Sequence, residues 1–215
     1  MIKTIIFDFG NVIGFFSHRL PSARLAYLAG VTPEAMHAYL FGGGLEEDID
    51  SGMIPVENLL RKIRNQFQFR GSDESLELAF ADMFWPNREV CELIPRLKSR
   101  YRLLLGSNTN ELHTRRFKKQ FANTLAHFDA LVLSYEIRIC KPDARFFEHC
   151  QQLAEAEPAE CLFIDDMPAN ISGAHAFGWN AILYQGHLDL MQRMSKLGID
   201  PSELSEHGGV SEPGA

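Results

Sequence analysis

The stretch that decides the fold is residues 2–13, IKTIIFDFGNVI. Its first six residues form a mostly apolar run that leads to one acidic residue, Asp8. Two positions later stands Gly10, which has no side chain. A short apolar run of this kind is typical of a strand that is buried on both faces of a parallel sheet. An acid at the end of such a strand is commonly a turn former or a helix cap, so the other strand ends decide what Asp8 does.

Four further apolar runs have the same continuous character. They are YRLLLGS at 101–107, ALVLS at 130–134, CLFID at 161–165 and NAILYQ at 180–185. Helical patterns separate them, for instance at 110–121, 143–154 and 169–177. Strands that alternate with helices in this way predict an α/β fold with a doubly wound, Rossmann-like parallel sheet.

The segment between the first two strands has a different pattern. Residues 15–88 show no convincing strand, and they hold helical patterns at 20–29, 33–40 and 55–67. The segment is too long for one crossover helix, so we interpret it as an inserted small helical cap on a core formed by residues 1–14 and 89–204. The last stretch, 205–215, is small, polar and contains Gly and Pro, which predicts a disordered tail.

Composition narrows the possible partners and compartment. The chain has 215 residues and a net charge of −7, with no large basic cluster, which argues against nucleic-acid binding. Its apolar runs are too short to cross a bilayer and it begins without a signal-peptide pattern, so we expect a cytoplasmic protein with no membrane partner. Four widely spaced cysteines predict reduced thiols. The chain is expected to be a monomer or a homodimer.

Polar side chains interrupt the strand pattern where each run ends. In chain order they are Asp8, Ser107 with Asn108, Lys141 within a short loop after the third run, and Asp165 with Asp166. The carboxyl ends of parallel strands lie along one edge of the sheet, where a ligand crevice forms. Capping explains each residue singly, but it does not explain why a carboxylate, a hydroxyl, an ammonium and a carboxylate pair converge on one crevice.

Electrostatics indicates what this crevice holds. Asp8, Asp165 and Asp166 would repel one another in a partly desolvated cleft, and one lysine cannot offset all three. A hard divalent cation with oxygen ligands would, and Mg²⁺ suits a site of few carboxylates plus a substrate phosphate. The cation and Lys141 would then receive an anionic group, to which Ser107 and the backbone N–H groups after Asp8 donate.

These motifs together resemble the phosphatase branch of the haloacid dehalogenase-like hydrolase superfamily. The resemblance rests on FDFGNV, LLLGSNTN, ICKPDARFFE and LFIDDMPANISGAHAFGW, which occur in that order. DIDSGMIPVENLLRKI and FWPNREVCELIPRLKSRY are similar to members with a small helical cap, such as phosphatases of the glucose-1-phosphate phosphatase type and the phosphatase domain of epoxide hydrolases. The resemblance implies a Mg²⁺-dependent phosphatase for a small phosphomonoester, with a sugar phosphate favoured.

The resemblance also implies a role for each site residue. Asp8 would be the nucleophile that forms an aspartyl-phosphate, with Ser107 and Lys141 as the other catalytic groups. The phosphate-binding residues would be Gly10, Asn11, Ser107, Asn108 and Lys141. The metal ligands would be Asp8, the carbonyl of Gly10, Asp165 and Asp166. Asn170 would orient the loop of the fourth motif.

Gly10 stands where most phosphatases of the superfamily carry a second Asp, the general acid–base. The loss of a general acid–base typically lowers the reaction rate by about 10²–10⁴-fold. The substrate could have a leaving group of low pKa, or His18 or an acid of LEEDID could substitute, or the protein could be a catalytically weak binder of phosphate or of a partner. The acids of LEEDID are Glu46, Glu47, Asp48 and Asp50. A glycine here also resembles 2-haloacid dehalogenases, but their pocket disfavours the pair Asp165–Asp166.

Overall fold

A five-stranded sheet forms the centre of the molecule in the computed structural model, which describes residues 1–69 and 71–199. The strands of the chain are β1 (Thr4–Phe7), β2 (Gly14–Phe16), β3 (Phe84–Pro86), β4 (Arg102–Ser107), β5 (Ala130–Leu133), β6 (Cys161–Asp165) and β7 (Asn180–Leu183). The central sheet has the order β5-β4-β1-β6-β7, and all its pairings are parallel. The predicted five runs are these five strands, and the predicted fold class is confirmed.

Helices connect the strands. They are α1 (Arg19–Ala29), α2 (Pro33–Phe41), α3 (Leu45–Asp50), α4 (Val56–Phe67), α5 (Asp73–Ala81), α6 (Arg88–Lys98), α7 (Glu111–Gln120), α8 (Ala122–Leu125), α9 (Ser134–Ile137), α10 (Ala144–Ala154), α11 (Pro168–Phe177) and α12 (His187–Lys196). A 3₁₀ turn, Pro158–Glu160, precedes β6.

Both faces of the sheet are buried, which explains the continuous apolar runs. In β1, Ile5 and Phe7 point into one hydrophobic cluster, which α6 and α12 cover, and Ile6 points into another, which α10 and α11 cover. Alternate residues of a strand face opposite sides, so a strand with helices on both sides has no polar face. Asp8 lies just beyond the carboxyl end of this central strand.

The helical segment between β2 and β3 has a hydrophobic cluster of its own. Leu25, Met36, Leu59 and Phe80 are fully or almost fully buried there, and Leu112 of α7 joins them from the side of the sheet. The assignment of residues 15–88 as a cap stays a prediction. The predicted tail, 205–215, and the end of the predicted core, 200–204, lie outside the described residues.

A short antiparallel ribbon lies where the helical segment begins and ends, and it was not predicted. Phe16 pairs with Phe84 and Gly14 with Pro86. Each strand has three residues, and Gly and Pro lie at its ends, so the alternation that indicates a strand has no length over which to show. The ribbon joins the two ends of the helical segment at the edge of the site.

Two further observations bear on the predicted class of protein. Across residues 1–69 and 71–199, no helix has both the length and the apolar character needed to span a bilayer. All four cysteines are free, with Cys150 and Cys161 buried and the other two half-buried. Localisation in the cytoplasm and the oligomeric state stay predictions.

Candidate active site

Lys141 lies between two carboxylates at the carboxyl edge of the sheet. Its Nζ is 2.8 Å from Oδ1 of Asp8 and 2.7 Å from Oδ2 of Asp165. The side chain of Lys141 is 1% exposed and that of Asp165 is fully buried, so both ion pairs are shielded from water. Three separate strands and loops therefore meet at one ammonium, as the sequence predicts.

The backbone of Lys141 is fixed by Asn108, which follows β4. Asn108 Nδ2 donates to the carbonyl of Lys141 at 3.0 Å, and the N–H of Lys141 donates to Oδ1 of Asn108 at 2.8 Å. The ammonium also lies 5.3 Å from the centre of the Phe163 ring. We predicted that Asn108 binds phosphate; its amide is engaged with Lys141, which makes it a positioning residue in this geometry.

Asp165 is held from several directions at once. Asn170 Nδ2 donates to both of its carboxylate oxygens at 3.0 Å, and the N–H of Met167 donates to Oδ1 at 2.8 Å. With Lys141, these donors supply both oxygens of Asp165. Asn170 thus lies where the sequence placed a residue that orients the fourth-motif loop, and Asp165 is turned toward Lys141 and the loop.

Asp166 is the more open member of the acidic pair. Its Oδ2 accepts a hydrogen bond from Nδ2 of Asn11 at 3.0 Å. Asn11 has a left-handed backbone with φ 52°, a conformation that Asn adopts more easily than most residues. Asn11, predicted to bind phosphate, therefore fixes the orientation of Asp166 in this structure.

The three acids form a cluster whose chemistry fits a hard cation. Asp8, Asp165 and Asp166 each offer an oxygen within 4.8 Å of the others. With Lys141 as the neighbouring cation, two negative charges stay uncompensated in a largely buried site. Mg²⁺ prefers carboxylate and carbonyl oxygens, so the donor set suits it. Hydrogen bonds already occupy both oxygens of Asp165, whereas Asp8 and Asp166 each accept at one oxygen. The role of Gly10 as a metal ligand stays a prediction.

The charges shift the titration of these groups. Burial raises the pKa of Asp8 well above its ordinary value, although the ammonium of Lys141 opposes the rise. Burial alone lowers the pKa of Lys141, but the carboxylates of Asp8 and Asp165 more than offset this and raise it above its ordinary value. Burial also raises the pKa of Asp166, against the hydrogen bond from Asn11. Lys141 therefore stays protonated at neutral pH.

Ser107 ends β4 and is 2% exposed. Its hydroxyl lies 3.4 Å from the carbonyl of Asn108, a long contact that leaves the group able to turn toward a ligand. The predicted phosphate-binding hydroxyl is therefore at the edge of the crevice, together with Gly10.

The space beside Gly10 is filled by an aromatic ring. A Cβ atom at position 10 would lie 2.9 Å from Cε1 of Phe16 and 3.8 Å from Oδ2 of Asp8. The ring of Phe16 packs near those of Phe84 and His18, at 6.1 and 5.1 Å between centroids. A side chain at position 10 thus has little room, which is a structural counterpart of the missing acid.

A small pocket of about 60 Å³ opens next to Gly10 and Ser107. The helical segment contributes His18, Glu46 and Asp50 to its wall. Nε2 of His18 is 2.8 Å from Oε1 of Glu46, and its ring stacks on Phe41 at 4.1 Å between centroids. The predicted substitute His18 therefore faces the crevice, paired with an acid.

Two residues at the start of α7 that contact each other were not predicted, and one of them, His113, lines the pocket. Asn110, the N-cap, donates through Nδ2 to Oδ1 of Asp50 at 2.8 Å and lies 2.9 Å from Nδ1 of His113. His113 also stacks on Phe80, at 4.8 Å between ring centroids. The sequence predicts a helix at 110–121, but nothing in it indicates that Asn110 reaches an acid 60 positions earlier.

The fold and these groups define a class: a Rossmann-like α/β enzyme whose buried aspartate and lysine sit at the carboxyl edge of the sheet. A family model described as haloacid dehalogenase-like hydrolase matches residues 2–178. The chain belongs to this hydrolase family, as the motifs predicted, and it is an enzyme of that family.

Two curated relatives illustrate the match. D-ribitol-5-phosphate phosphatase of Bacteroides thetaiotaomicron is 22% identical over 204 residues, which cover 91% of this chain and 98% of that protein. Mouse acyl-CoA dehydrogenase family member 10 is 34% identical over 74 residues, which cover 34% of this chain and 7% of that much longer protein.

Solved structures show the same fold. A predicted HAD-like family hydrolase from Porphyromonas gingivalis is similar with a TM-score of 0.77 at 25% identity, covering 92% of this chain and 98% of that one. A HAD family enzyme from Bacteroides thetaiotaomicron, in complex with magnesium and inorganic phosphate, has a TM-score of 0.74 at 22% identity and covers 85% and 93%.

Proposed function

We propose that this protein is a Mg²⁺-dependent phosphatase that hydrolyses a small phosphomonoester through an aspartyl-phosphate on Asp8. One observation carries the proposal: Nζ of Lys141 contacts both Asp8 and Asp165, in a site where three carboxylates lie within 4.8 Å of one another. An ammonium beside an acidic cluster suits a dianionic phosphate, provided that a cation offsets the repulsion between the phosphate and the carboxylates.

In the first step Oδ2 of Asp8 attacks phosphorus. Oδ1 is occupied by Lys141, so the second oxygen is the one free to react. Lys141 holds the nucleophile in place and neutralises charge on the phosphoryl oxygens, and Ser107 donates its hydroxyl to them. Water then releases phosphate from Asp8 in a second step.

A bound Mg²⁺, held by Asp8, Asp166 and the carbonyl of Gly10, would neutralise charge on the transferring phosphoryl group. Asn11 keeps Asp166 turned toward the site, and Asn170 with the N–H of Met167 keeps Asp165 turned toward Lys141. The hydrogen bonds from these positioning residues keep the acids close together in spite of the repulsion between their charges.

The polarity of the pocket supports a sugar or sugar-alcohol phosphate as the substrate class. Its wall combines His18, Glu46 and Asp50 with the phosphate end at Ser107. Such a wall suits the hydroxyl groups of a sugar or sugar-alcohol phosphate, and the relative that matches most of the chain is named for D-ribitol 5-phosphate. The pocket is small, so the helical segment must move to admit the substrate.

A phosphate-release screen tests this function. Purified protein is assayed on sugar phosphates, alditol phosphates and p-nitrophenyl phosphate, with Mg²⁺ or with EDTA. We expect activity that needs Mg²⁺ and falls by about 10³-fold or more in Asp8→Asn, because the nucleophile is lost. Asp48→Asn is the control and should keep its activity, because Asp48, although one of the acids of LEEDID, is exposed on α3 and does not line the pocket. Activity that survives in Asp8→Asn refutes the covalent route.

The same screen addresses the weak-binder alternative, which the filled space beside Gly10 favours. A kcat/KM below about 10⁴ M⁻¹s⁻¹ for every phosphate, together with tight binding of inorganic phosphate, would support that reading instead. Release of halide from 2-haloacids without Mg²⁺ would support a dehalogenase.

A further inference from the structure

The leaving oxygen of a phosphomonoester needs a proton, and the pocket beside Gly10 contains the groups that can supply one. Besides the residues already given a role, its ionisable wall residues are His18, Glu46, Asp50 and His113. The pocket has a volume of about 60 Å³ and reaches Asp8 through Gly10, where a Cβ atom would lie 3.8 Å from Oδ2 of Asp8. We expect the leaving oxygen to lie on this side of Asp8.

His113 is not the proton donor. Burial lowers its pKa to about 3, with His18 adding to the effect and the backbone carbonyl of Phe80 opposing it, so the ring is neutral at physiological pH. Oδ1 of Asn110 accepts from the backbone N–H of His113. Nδ2 of Asn110 is therefore the donor toward Nδ1 of the His113 ring. The proton therefore sits on Nε2, where a neutral imidazole holds it too tightly for acid catalysis.

His18 and Glu46 are occupied with each other. Nε2 of the imidazole lies 2.8 Å from Oε1 of the carboxylate, and the ring is stacked against Phe41. Either group would have to break this pair before it could act on a substrate. Their arrangement suits a fixed polar wall.

Asp50 has one oxygen fixed and the other free. Oδ1 accepts from Nδ2 of Asn110 at 2.8 Å, and the backbone carbonyl of Asp50 accepts from the hydroxyl of Ser134. Among the described residues, Oδ2 has no hydrogen-bond partner. The core thus holds this residue of α3 at two points, and Asp50, which lines the pocket, keeps one carboxyl oxygen without a hydrogen bond.

We propose that Asp50 is the general acid and base of the reaction, a catalytic role that the helical segment supplies to the core. The inference rests on the proposed phosphatase function. Position 10 supports it, since Gly10 has no side chain and the ring of Phe16 takes the space beside it. A proton donor must therefore come from another wall of the pocket.

The reaction balances with this assignment. As Oδ2 of Asp8 bonds to phosphorus and the bond from phosphorus to the substrate oxygen breaks, the carboxylic acid of Asp50 gives its proton to that oxygen, which leaves as an alcohol. The Asp50 carboxylate then takes a proton from water while the water oxygen bonds to phosphorus. The bond to Asp8 breaks, phosphate leaves, and Asp50 is again an acid.

The surroundings of Asp50 favour a group that changes protonation near neutrality. Burial raises its pKa to about 7, the hydrogen bond from Asn110 opposes the rise, Glu46 adds to it and His18 reduces it. Other groups that face it are neutral: the imidazole of His113 across Asn110 and the thiol of Cys140, whose own pKa is raised by burial. An acid–base catalyst works best when its pKa lies near the working pH.

The test compares two leaving groups in wild type, Asp50→Asn and the control Asp48→Asn. Asn at position 50 can still accept the bond from Asn110, so the fold is kept. For an alkyl phosphate that the wild type hydrolyses, whose alkoxide must be protonated, we expect kcat/KM to fall by about 10²–10⁴-fold. For p-nitrophenyl phosphate, whose leaving group needs no proton, we expect a fall of about 10-fold or less, with slower release of phosphate from Asp8.

Each outcome decides the matter. Equal losses of kcat/KM on both substrates in Asp50→Asn would mean that Asp50 is structural. A loss that depends on the leaving group in His18→Gln but not in Asp50→Asn would assign the role to His18. Either result overturns the inference. Absence of wild-type activity on every phosphate refutes the proposed function itself. Wild-type activity with unchanged Asp50→Asn refutes the inference alone.

Discussion

Lys141 is a buried ammonium that keeps its charge because two carboxylates face it. Burial without partners would drive its proton off, but the contacts of 2.8 and 2.7 Å to Asp8 and Asp165 reverse the shift. Removing one partner of such a group leaves an uncompensated charge, which is strongly destabilising. At the scale of single residues, the charge of Lys141 and the acids around it depend on one another.

Gly10 and Phe16 are predicted to be energetically coupled. In Gly10→Asp the new Cβ meets the ring of Phe16 at 2.9 Å, so we expect a loss of about 1–3 kcal/mol in the free energy of unfolding and no gain in activity. Urea unfolding measures it. The loss in the double variant Gly10→Asp with Phe16→Ala should be smaller, by about 1 kcal/mol or more, than the sum of the losses in the two single variants. Full additivity would show that the ring does not occupy this space.

Asp50 is predicted to make stability depend on pH. Its raised pKa means that between about pH 4 and 7 the unfolded chain has lost a proton that the folded chain keeps, so stability falls as the pH rises through this window. Asn at position 50 does not titrate. The difference in unfolding free energy, wild type minus Asp50→Asn, should therefore fall by about 1–2 kcal/mol from pH 5 to pH 8, the partial exposure of Asp50 limiting the effect.

Urea unfolding at the two pH values measures this difference, and Asp48→Asn serves as the exposed control. Since the other acids are common to both proteins, they cancel in the comparison. A difference that is constant with pH would show that Asp50 is ionised in the folded state as it is in water.

At the scale of elements, the contact between α3 and α9 sets where Asp50 sits. Gly52, two residues after Asp50, has φ 66°, and a Cβ on it would lie 2.5 Å from the carbonyl oxygen of Tyr135. Only glycine allows both the left-handed conformation and this approach. The loop after α3 therefore rests directly on the backbone of the core.

Gly52→Ala is predicted to loosen this contact. We expect a loss of about 1–3 kcal/mol in the free energy of unfolding and faster hydrogen exchange in α3, with lower kcat/KM on alkyl phosphates because Asp50 is displaced. Gly43→Ala is the control, since nothing lies within 4 Å of that Cβ and its backbone is not left-handed. Unchanged exchange in α3 would contradict this role of Gly52.

The elements that could be predicted from the sequence are those with a long or repeated pattern. The five apolar runs and the helices near 110–121, 143–154 and 169–177 correspond to β1, β4–β7, α7, α10 and α11, because a sheet covered by helices on both faces leaves a continuous apolar signal. The ribbon of β2 and β3 has three residues per strand and no such signal.

The site shows the same division. The convergence of Asp8, Ser107 and the acidic pair follows from parallel topology, since the strand ends lie on one edge. Lys141 comes after α9, and its hydrogen bonds with Asn108 hold it at that edge. The bond from Asn110 to Asp50 and the ring of Phe16 beside Gly10 depend on how the helical segment packs on the core. Packing between distant segments leaves no local pattern in a single sequence.

At the scale of the whole molecule, binding of Mg²⁺ is predicted to stabilise the fold. A ligand at 100 times its Kd adds about 2.7 kcal/mol, which for a chain of this size raises the Tm by about 5–10 °C. Asp166→Asn should lose most of this shift, and NaCl at equal ionic strength is the control. An equal shift in Asp166→Asn, or none in the wild type, would contradict the metal site.

The most direct test of the account is to find the phosphoryl group on Asp8. Protein mixed briefly with ³²P-labelled p-nitrophenyl phosphate, whose leaving group needs no proton, is quenched in acid, digested and mapped by mass spectrometry. We predict label on the peptide that contains Asp8, sensitive to hydroxylamine as an acyl phosphate is, with more label in Asp50→Asn and none in Asp8→Asn. Turnover without label on that peptide, or label on another residue, would contradict the proposal that Asp8 is the nucleophile.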